Sequence, residues 1–128
     1  MVKDNHWQAL GSRGIDLEQA LAEARRSGIT ALYVEVESLT QLEQACAAGA
    51  TRLLIDNQSP TTLRSWAEKA RQLSRRIEIE ATGGITLENV RAYADAGANF
   101  ISIGALTHSV HAADLALEIT LRQSREER

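Results

Sequence analysis

Cysteine and aromatic residues are scarce in this chain, and each scarcity excludes a class of protein. The single cysteine, Cys46, excludes an intrachain disulfide framework. Its place on a predicted helix face with Leu39 and Leu42 indicates a buried, unreactive thiol. Aromatic residues make up 4% of the sequence, which argues against a surface that stacks nucleic-acid bases.

Long apolar runs and an excess of basic charge are also missing. No run approaches the length of a membrane span, and the N-terminus lacks the basic-then-apolar pattern of a signal peptide. The net charge of −3 gives no reason to expect binding to nucleic acid or to an anionic membrane. We therefore expect a cytoplasmic protein whose partners include neither nucleic acid nor a membrane.

The chain does contain a regular alternation of short apolar runs with helical segments. This alternation is typical of a parallel α/β fold, in which a helix crosses back over the sheet between successive strands. Ser38 and Gln41 have the spacing of a capping box at one helix start, and Gly28 and Gly49 mark helix ends. The predicted strands are 1–3, 31–37, 52–55, 77–81 and 100–103. The predicted helices are 17–27, 39–48, 60–73, 87–96 and 112–123, with a polar loop over 4–14.

Five strands are too few for a closed (β/α) barrel, which needs on the order of 200 residues or more. The 128 residues are therefore predicted to form a single partial α/β-barrel domain: about five parallel strands with flanking helices. Residues 124–128 are predicted to be a solvated charged tail. A partial barrel should expose the edge of its first strand and part of an apolar interior, which favours self-association.

Two of the predicted strands end in small-residue turns that could bind a phosphate group. Thr82, Gly83 and Gly84 follow one strand, and Gly104 follows the next. Glycines there let backbone N–H groups approach a small anion, and late strand-to-helix loops form the usual phosphate pocket of (β/α) barrels. Thr86 could cap the helix that begins at residue 87, and His108 follows Gly104 closely enough to reach the phosphate. The alternative is that these glycines only make tight turns.

Carboxylates occur where strands of a parallel sheet are usually apolar. Because side chains alternate along a strand, Glu35 and Glu37 share one face of the sheet, and so do Glu78 and Glu80. If that face lines the barrel, these carboxylates converge on the same end of the barrel as the glycine turns. Like charges beside a phosphate need neutralisation by Mg²⁺, by sugar hydroxyls or by a lysine, and Lys3 is suitably placed. The alternative is a solvated acidic face on a half-open sheet. The carboxylates are Glu35, Glu37, Asp56, Glu78 and Glu80.

Other motifs are weak or missing. The run Lys3 to His6 reads as a surface turn when taken alone. His6, His108 and His111 have no metal-ligand spacing with one another or with Cys46, so no zinc site is predicted. The sequence contains no nucleophile elbow and no Walker loop.

Taken together and in order, five motifs resemble the quinolinate phosphoribosyltransferase family, also called nicotinate-nucleotide pyrophosphorylase (carboxylating). The resemblance runs from Lys3 to about Leu117 and implies an α/β barrel that transfers a phosphoribosyl group, a glycosyltransferase reaction of NAD biosynthesis. Quinolinate and phosphoribosyl pyrophosphate would give nicotinate mononucleotide, pyrophosphate and CO₂, with Mg²⁺ and no organic cofactor. The motifs are Val-Lys-Asp-Asn-His, Val-Glu-Val-Glu, Leu-Ile-Asp-Asn, Glu-Ala-Thr-Gly-Gly-Ile and Ile-Ser-Ile-Gly-Ala-Leu-Thr-His.

The resemblance also implies roles for individual residues. Lys3 would contact substrate at the quinolinate and pyrophosphate end of the site, while Glu35 and Asp56 would bind ribose hydroxyls and the metal. Thr82, which stands where the family usually has serine, would keep the hydroxyl that binds the 5′-phosphate. The other members of that phosphate site would be Gly83, Gly84, Gly104 and His108.

The resemblance covers only the later part of the family's barrel domain. The family's N-terminal sandwich domain, its first barrel strands and the arginines and histidine that bind quinolinate have no counterpart here, and in the family a second subunit completes the site. Arg13, Arg25 and Arg26 are predicted to lie in a loop or on a helix surface. We therefore expect a phosphoribosyl half-site on a chain that self-associates. The alternatives are a non-catalytic half-barrel and a barrel enzyme that acts on another sugar phosphate.

Overall fold

A computed structural model describes residues 1–109 and 112–120 of the chain. Helices and strands alternate along it, as the sequence predicts for a parallel α/β fold. The strands are β1 (Tyr33–Val36), β2 (Arg52–Asp56), β3 (Glu78–Thr82) and β4 (Phe100–Ile101). The helices are α1 (Asp4–Ser12), α2 (Leu17–Arg26), α3 (Leu39–Ala47), α4 (Pro60–Leu73), α5 (Val90–Asp95) and α6 (Ala105–His108).

The four strands form one parallel sheet in the order β1-β2-β3-β4. The register aligns Val34 with Leu53, Leu53 with Ile79, and Glu80 with Phe100. The predicted first strand is reduced to a single parallel bridge between Val2 and Val34. The predicted partial barrel of about five strands is therefore confirmed as four strands and one bridge.

One face of this sheet, here called the core face, is entirely apolar. Because side chains alternate along a strand, the residues of each strand that belong to the main apolar core point to the same side. They pack against apolar residues of the helices, among them Leu21, Leu42 and Leu63. No polar or charged residue is buried within the described residues. The strand residues of the core face are Val34, Val36, Leu53, Ile55, Ile79 and Ala81.

The residues one position along each strand form the opposite face, here called the polar face. Leu54 lies at its centre and is buried, with 4% of its surface exposed, whereas Phe100 is 41% exposed. The expected exposure of an apolar barrel interior therefore holds for Phe100 but is wrong for Leu54. The polar face consists of Tyr33, Glu35, Arg52, Leu54, Asp56, Glu78, Glu80, Thr82 and Phe100.

The predicted loop over residues 4–14 is wrong, because α1 occupies most of it. At its start the backbone N–H of Lys3 donates to Nδ1 of His6 at 3.1 Å, and the backbone N–H of His6 donates to the carbonyl of Lys3 at 2.8 Å. Trp7 and Leu10, one helical turn apart, pack against the core. The polar residues of this run favour a loop in the sequence, whereas the packing of Trp7 and Leu10 against distant residues favours a helix.

The predicted helix over residues 112–123 is also wrong where the structure describes it. Residues 112–120 have no regular secondary structure, and Leu115, Leu117 and Ile119 are exposed. An amphipathic segment of fewer than about 12–15 residues is marginal as a helix unless its apolar face is packed against something. Residues 121–123, His111 and the predicted tail at 124–128 lie outside the described residues.

Cys46 is buried, as predicted. Burial raises the pKa of its thiol, and the nearby carboxylate of Glu43 raises it further. The thiol therefore stays protonated and unreactive at neutral pH. Among the described residues, no helix combines the length and the apolar character that crossing a membrane requires.

Candidate functional site

The carboxyl ends of the parallel strands meet at one edge of the sheet. Because Ala81 aligns with Ile101, the turn after β3 and the turn after β4 leave this edge side by side. Here the turn of residues 82–85 is called the β3 turn and that of residues 102–104 the β4 turn. Asp56 ends β2 at the same edge, opposite Thr82.

The β3 turn approaches the end of β2 too closely for a side chain. Gly83 has a φ of +81°, and the backbone N–H of Asn57 donates to the carbonyl of Thr82 at 3.0 Å. A Cβ atom on Gly83 would lie 2.6 Å from Cγ of Asn57 and 2.9 Å from its backbone nitrogen. Gly84 has a φ of +60°, and a Cβ atom there would meet nothing within 4 Å. Gly83 is therefore required for packing, and Gly84 borders open space.

Asn89 fixes the far end of the β3 turn. Its side-chain amide donates to the carbonyl of Gly84 at 3.1 Å, and its Oδ1 accepts from the backbone N–H of Thr86 at 2.9 Å. Because residues 87–89 are held in a turn, α5 begins at Val90, and the prediction that Thr86 caps a helix from residue 87 is wrong. The sequence offered a weak signal for Asn89, since asparagine commonly stabilises turns through its side chain.

The glycines of the two turns have main-chain N–H groups without a partner among the described residues. The N–H groups of Gly83, Gly84 and Gly104 donate no hydrogen bond to any of the described residues. Gly83 is half-buried, whereas Gly84 and Gly104 are exposed, and glycines leave room for a ligand to approach these N–H groups. The turns therefore present N–H groups in the manner of an anion-binding site.

His108 lies directly over the β4 turn. The single turn of α6 brings its backbone N–H to the carbonyl of Gly104 at 3.1 Å. A Cβ atom on Gly104 would lie 3.2 Å from both Cδ2 and Nε2 of the imidazole. The Nδ1 atom lies 2.8 Å from the hydroxyl of Ser109, and the side chain is otherwise exposed. The structure thus brings together Gly104 and His108, both predicted site residues.

Asp56 and Thr82 also meet, across β2 and β3. The Thr82 hydroxyl donates to Oδ1 of Asp56 at 2.6 Å, and the Asn57 amide donates to Oδ2 at 2.6 Å. Asn57 adopts a positive φ of 50°, which asparagine tolerates better than most residues. Asp56 is therefore held at the rim with its carboxylate orientation fixed.

Lys3 and Glu35, both predicted site residues, form an ion pair. Lys3 Nζ lies 3.4 Å from Oε2 of Glu35, whose side chain is 13% exposed. Trp7 anchors α1 beside them, since its indole N–H donates to the backbone carbonyl of Glu35 at 3.0 Å. No hydrogen bond or ion pair within the described residues joins this pair to Asp56 and Thr82.

Arg52 is the residue of the polar face that the sequence analysis missed. Its guanidinium bonds Glu78 at 2.8 Å and Glu80 at 3.1 Å. Burial by itself lowers the pKa of Arg52, but the hydrogen bonds to Glu78 and Glu80, together with the charges of Glu78 and Tyr33, outweigh it, so the net pKa is raised. Lys3 and Arg52 therefore pair with Glu35, Glu78 and Glu80, whereas Asp56 is bonded by the neutral groups of Thr82 and Asn57.

The described residues do not form a closed metal cage. No group of three or more His, Cys, Asp or Glu residues in 1–109 and 112–120 is arranged to hold a metal ion. Glu35 and Asp56 supply hard carboxylate oxygens. These suit Mg²⁺ when substrate phosphates and water provide its remaining ligands. The donor set fits a magnesium ion that arrives with a phosphorylated substrate.

Comparison with known proteins decides the family. The family model described as "Quinolinate phosphoribosyl transferase, C-terminal domain" matches residues 1–118. The chain belongs to this family. It is 41% identical over 123 residues to a probable carboxylating nicotinate-nucleotide pyrophosphorylase of Bacillus subtilis, covering 94% of this chain and 40% of that protein. The human carboxylating nicotinate-nucleotide pyrophosphorylase is 37% identical over 125 residues, covering 96% of this chain and 41% of that protein.

Solved structures agree with this assignment. The nicotinate-nucleotide pyrophosphorylase from Francisella tularensis matches with a TM-score of 0.67 and 30% identity, over 83% of this chain and 36% of that one. The resemblance to the C-terminal part of this family and the α/β fold are thereby confirmed. The chain spans about 40% of the length of the curated relatives that it matches.

Proposed function

We propose that residues 1–128 act as one domain that supplies the phosphoribosyl-binding part of a carboxylating nicotinate-nucleotide pyrophosphorylase. The reaction would join quinolinate to phosphoribosyl pyrophosphate and release pyrophosphate and CO₂, leaving nicotinate mononucleotide for NAD biosynthesis. The observation that carries this proposal is the set of unpartnered N–H groups on Gly83, Gly84 and Gly104, at adjacent strand ends.

The phosphate end of the substrate would lie against these two turns. A phosphate monoester carries several acceptor oxygens and so could satisfy all three N–H donors at once. The Thr82 hydroxyl and the His108 imidazole would line the same space. His108 carries one further donor to the phosphate when its ring is protonated or in the appropriate tautomer.

The ribose and pyrophosphate would extend from the turns toward β2 and β1. Asp56 and Glu35 offer carboxylate oxygens that accept hydrogen bonds from ribose hydroxyls, and Thr82 already orients Asp56 at 2.6 Å. Lys3 would exchange its contact with Glu35 for the substrate, at the end where pyrophosphate leaves. A magnesium ion held by Glu35 and Asp56 would neutralise the pyrophosphate oxygens when bound.

This arrangement suits a reaction in which positive charge develops on the ribose. As pyrophosphate departs, the ribosyl centre becomes oxocarbenium-like, and the fixed carboxylates of Glu35 and Asp56 stabilise that charge. The pyridine nitrogen then attacks the same carbon. The bond from C2 to the 2-carboxylate breaks, CO₂ leaves, the electron pair stays on C2, and C2 takes up a proton from solvent. Positioning of the sugar by the turns would supply much of the acceleration.

Recognition of quinolinate is not assigned to this part of the site. Two of the arginines named in the sequence analysis already bond other residues of this chain. Arg25 donates to the carbonyl of Ala48 at 2.9 Å, and Arg26 pairs with Glu23. Turnover should therefore require a separately supplied N-terminal half of a relative. Assays for nicotinate mononucleotide with and without that half would test the requirement directly.

A matched pair of glycine variants tests the phosphate site. Gly84→Ala puts a methyl group into the open space beside the turn, at φ +60°. Gly14→Ala introduces the same residue at φ +64°, with nothing within 4 Å, in the loop between α1 and α2. The two changes impose the same backbone strain, so a difference in ligand affinity reports on the site.

Calorimetry with phosphoribosyl pyrophosphate and MgCl₂ should give saturable binding to the unmodified chain and to Gly14→Ala. Gly84→Ala should lose roughly tenfold or more in affinity, because the methyl group displaces an acceptor from the N–H donors. Absence of binding to the unmodified chain, or equal affinity in both variants, would contradict the proposal.

We further propose that the chain self-associates. Leu87 is 74% exposed and Leu106 is 61% exposed, and with Ile103 they line an apolar groove of about 470 Å³ beside the β3 turn. Exposed apolar surface of this kind favours association. Light scattering after size exclusion should give a mass above 14.0 kDa, and a monomer at all concentrations would count against association.

A further inference from the structure

Arg52 contacts every strand of the sheet. It belongs to β2, it bonds Glu78 and Glu80 of β3, and its guanidinium carbon lies 4.5 Å from the ring centre of Tyr33 on β1. On β4 the same atom lies 3.6 Å from the ring centre of Phe100. A planar guanidinium can pair with carboxylates in its plane while aromatic rings stack on its faces, which lysine does less well.

The contacts continue from Arg52 to the end of β4. One carboxylate oxygen of Glu80 accepts from Arg52 at 3.1 Å, and the other accepts from the Ser102 hydroxyl at 2.6 Å. Glu80 lies two residues before Thr82, and Ser102 lies two residues before Gly104. This hydrogen-bonded tie therefore joins Glu80, two residues before the β3 turn, to Ser102, the first residue of the β4 turn.

The backbone alone holds β4 weakly. This strand has two residues, and only two positions of it are in register with β3. The next residue, Ser102, donates its N–H to the carbonyl of Ala81 at 2.9 Å, after which the backbone pairing ends. The side-chain tie from Arg52 through Glu80 to Ser102 acts where main-chain pairing stops.

We propose that Arg52 is a positioning residue, which fixes β4 against β3 through Glu80 and Ser102 and thereby sets the spacing of the β3 and β4 turns. The inference rests on the proposed function for its ligand, because the spacing matters only if one phosphate contacts both turns. Arg52 itself lies among the strands, and its contacts are to Tyr33, Glu78, Glu80 and Phe100 rather than to the turns.

Three variants and a control measure this role in the full chain. Arg52→Met removes the charge and the fork of donors, and Ser102→Ala removes only the last hydrogen bond of the tie. Arg26→Met is the control, since Arg26 forms an exposed pair with Glu23 on α2, away from the sheet. Arg52→Lys keeps the charge without the planar fork, so it separates positioning from simple charge compensation.

Ribose 5-phosphate is the probe, with affinity measured by calorimetry at fixed ionic strength. Arg52→Met should weaken binding by roughly tenfold or more and Ser102→Ala by about threefold, because each loosens the spacing of the donors. Arg52→Lys should fall between Arg52→Met and the unmodified chain, and Arg26→Met should bind normally. Full affinity in Arg52→Met, or full rescue by Arg52→Lys, would overturn a positioning role.

Amide hydrogen exchange without ligand keeps the inference separate from the proposed function. In Arg52→Met and Ser102→Ala, exchange at the Ser102 amide should rise more than at Leu53 or Val34. A uniform rise across the sheet would show a purely structural role and overturn the inference. If the unmodified chain bound no ribose 5-phosphate, the proposed function would fail, whereas the exchange pattern would still decide whether the tie exists.

Discussion

The two faces of the sheet use the same strands in opposite ways. On the core face Val34, Leu53 and Ile79 are wholly buried in hydrocarbon. At the neighbouring positions of the same strands, the polar face presents Glu35, Arg52 and Glu80, each with 13–15% of its side chain exposed. The free energy gained by burying an apolar side chain depends little on the direction in which that side chain points. A charged side chain that is largely removed from water instead needs a partner at a defined distance and angle.

The comparison separates what stabilises this fold from what could give it a function. The core face removes apolar area from water, and many apolar sequences could do that. The polar face fixes specific atoms: Asp56 by Thr82, Glu35 by Lys3, and Glu80 by Arg52. The following predictions either sharpen this difference or break it.

The largest effect is expected in the core face. Ile79→Ala removes a side chain with no exposed surface from the central cluster and should lower the free energy of unfolding by about 2–5 kcal/mol. Leu54→Ala is the matched change on the polar face, where water can enter the space, and should cost less. Urea unfolding followed by circular dichroism measures both. Equal losses would mean that the two faces do not differ.

A change at the rim should have the next largest effect. Gly83→Ala strains the backbone at φ +81° and drives a methyl group against Asn57. Gly28→Ala introduces the same strain at φ +84° in open space and should cost about 1–2 kcal/mol of unfolding free energy. Gly83→Ala should cost clearly more than this control. The same urea experiment compares them, and equal costs would show that Asn57 moves aside freely.

Breaking one partly exposed ion pair of the polar face should matter less. The Glu78 side chain is 45% exposed and pairs with Arg52, which keeps Glu80 as its second partner. Glu78→Gln should therefore lower the free energy of unfolding by no more than about 1 kcal/mol, and less at high salt. A loss as large as that of Ile79→Ala would contradict the division between the faces.

The smallest effect is a pH dependence at an exposed turn. A hydrogen bond from Thr86, followed by one from its own backbone N–H, lowers the pKa of Glu88. Because the folded pKa lies below the unfolded one, this stabilisation is present above the unfolded pKa and is lost as the pH falls through the folded pKa. The unmodified chain should therefore exceed Glu88→Gln slightly in urea midpoint at pH 7 and match it in strong acid. If the difference in urea midpoint between the two proteins grew as the pH fell, the predicted direction of the pH dependence would be wrong.

Much of the fold could be predicted because its signals are local. The capping box of Ser38 and Gln41 forms as its spacing indicates, and α4 begins at Pro60 with Ser59 as its cap. Helix α1 escaped prediction because Trp7 and Leu10 gain their packing only from distant residues. The helix over 112–123 was predicted from a local pattern of apolar residues. Residues 112–120 are exposed, so no packing stabilises such a helix there.

The candidate site was partly predictable for the same reason. The alternation of Glu35, Glu78 and Glu80 with apolar residues revealed the polar face, and glycines revealed the two turns. Arg52, Asn57, Asn89 and Trp7 were missed. Their roles consist of contacts between residues 26–28 positions apart or of a side chain closing a turn, and no short motif records either.

The sequence by itself determined the alternation of strands and helices, the family, and the residue types at the strand ends, because these depend on period and short spacing. Only the tertiary structure decided which charges pair, and that Gly83 must be glycine while Gly84 faces open space. The physical reason is that hydrogen bonds and ion pairs act over a few ångströms in space, and only the folded register brings distant residues that close.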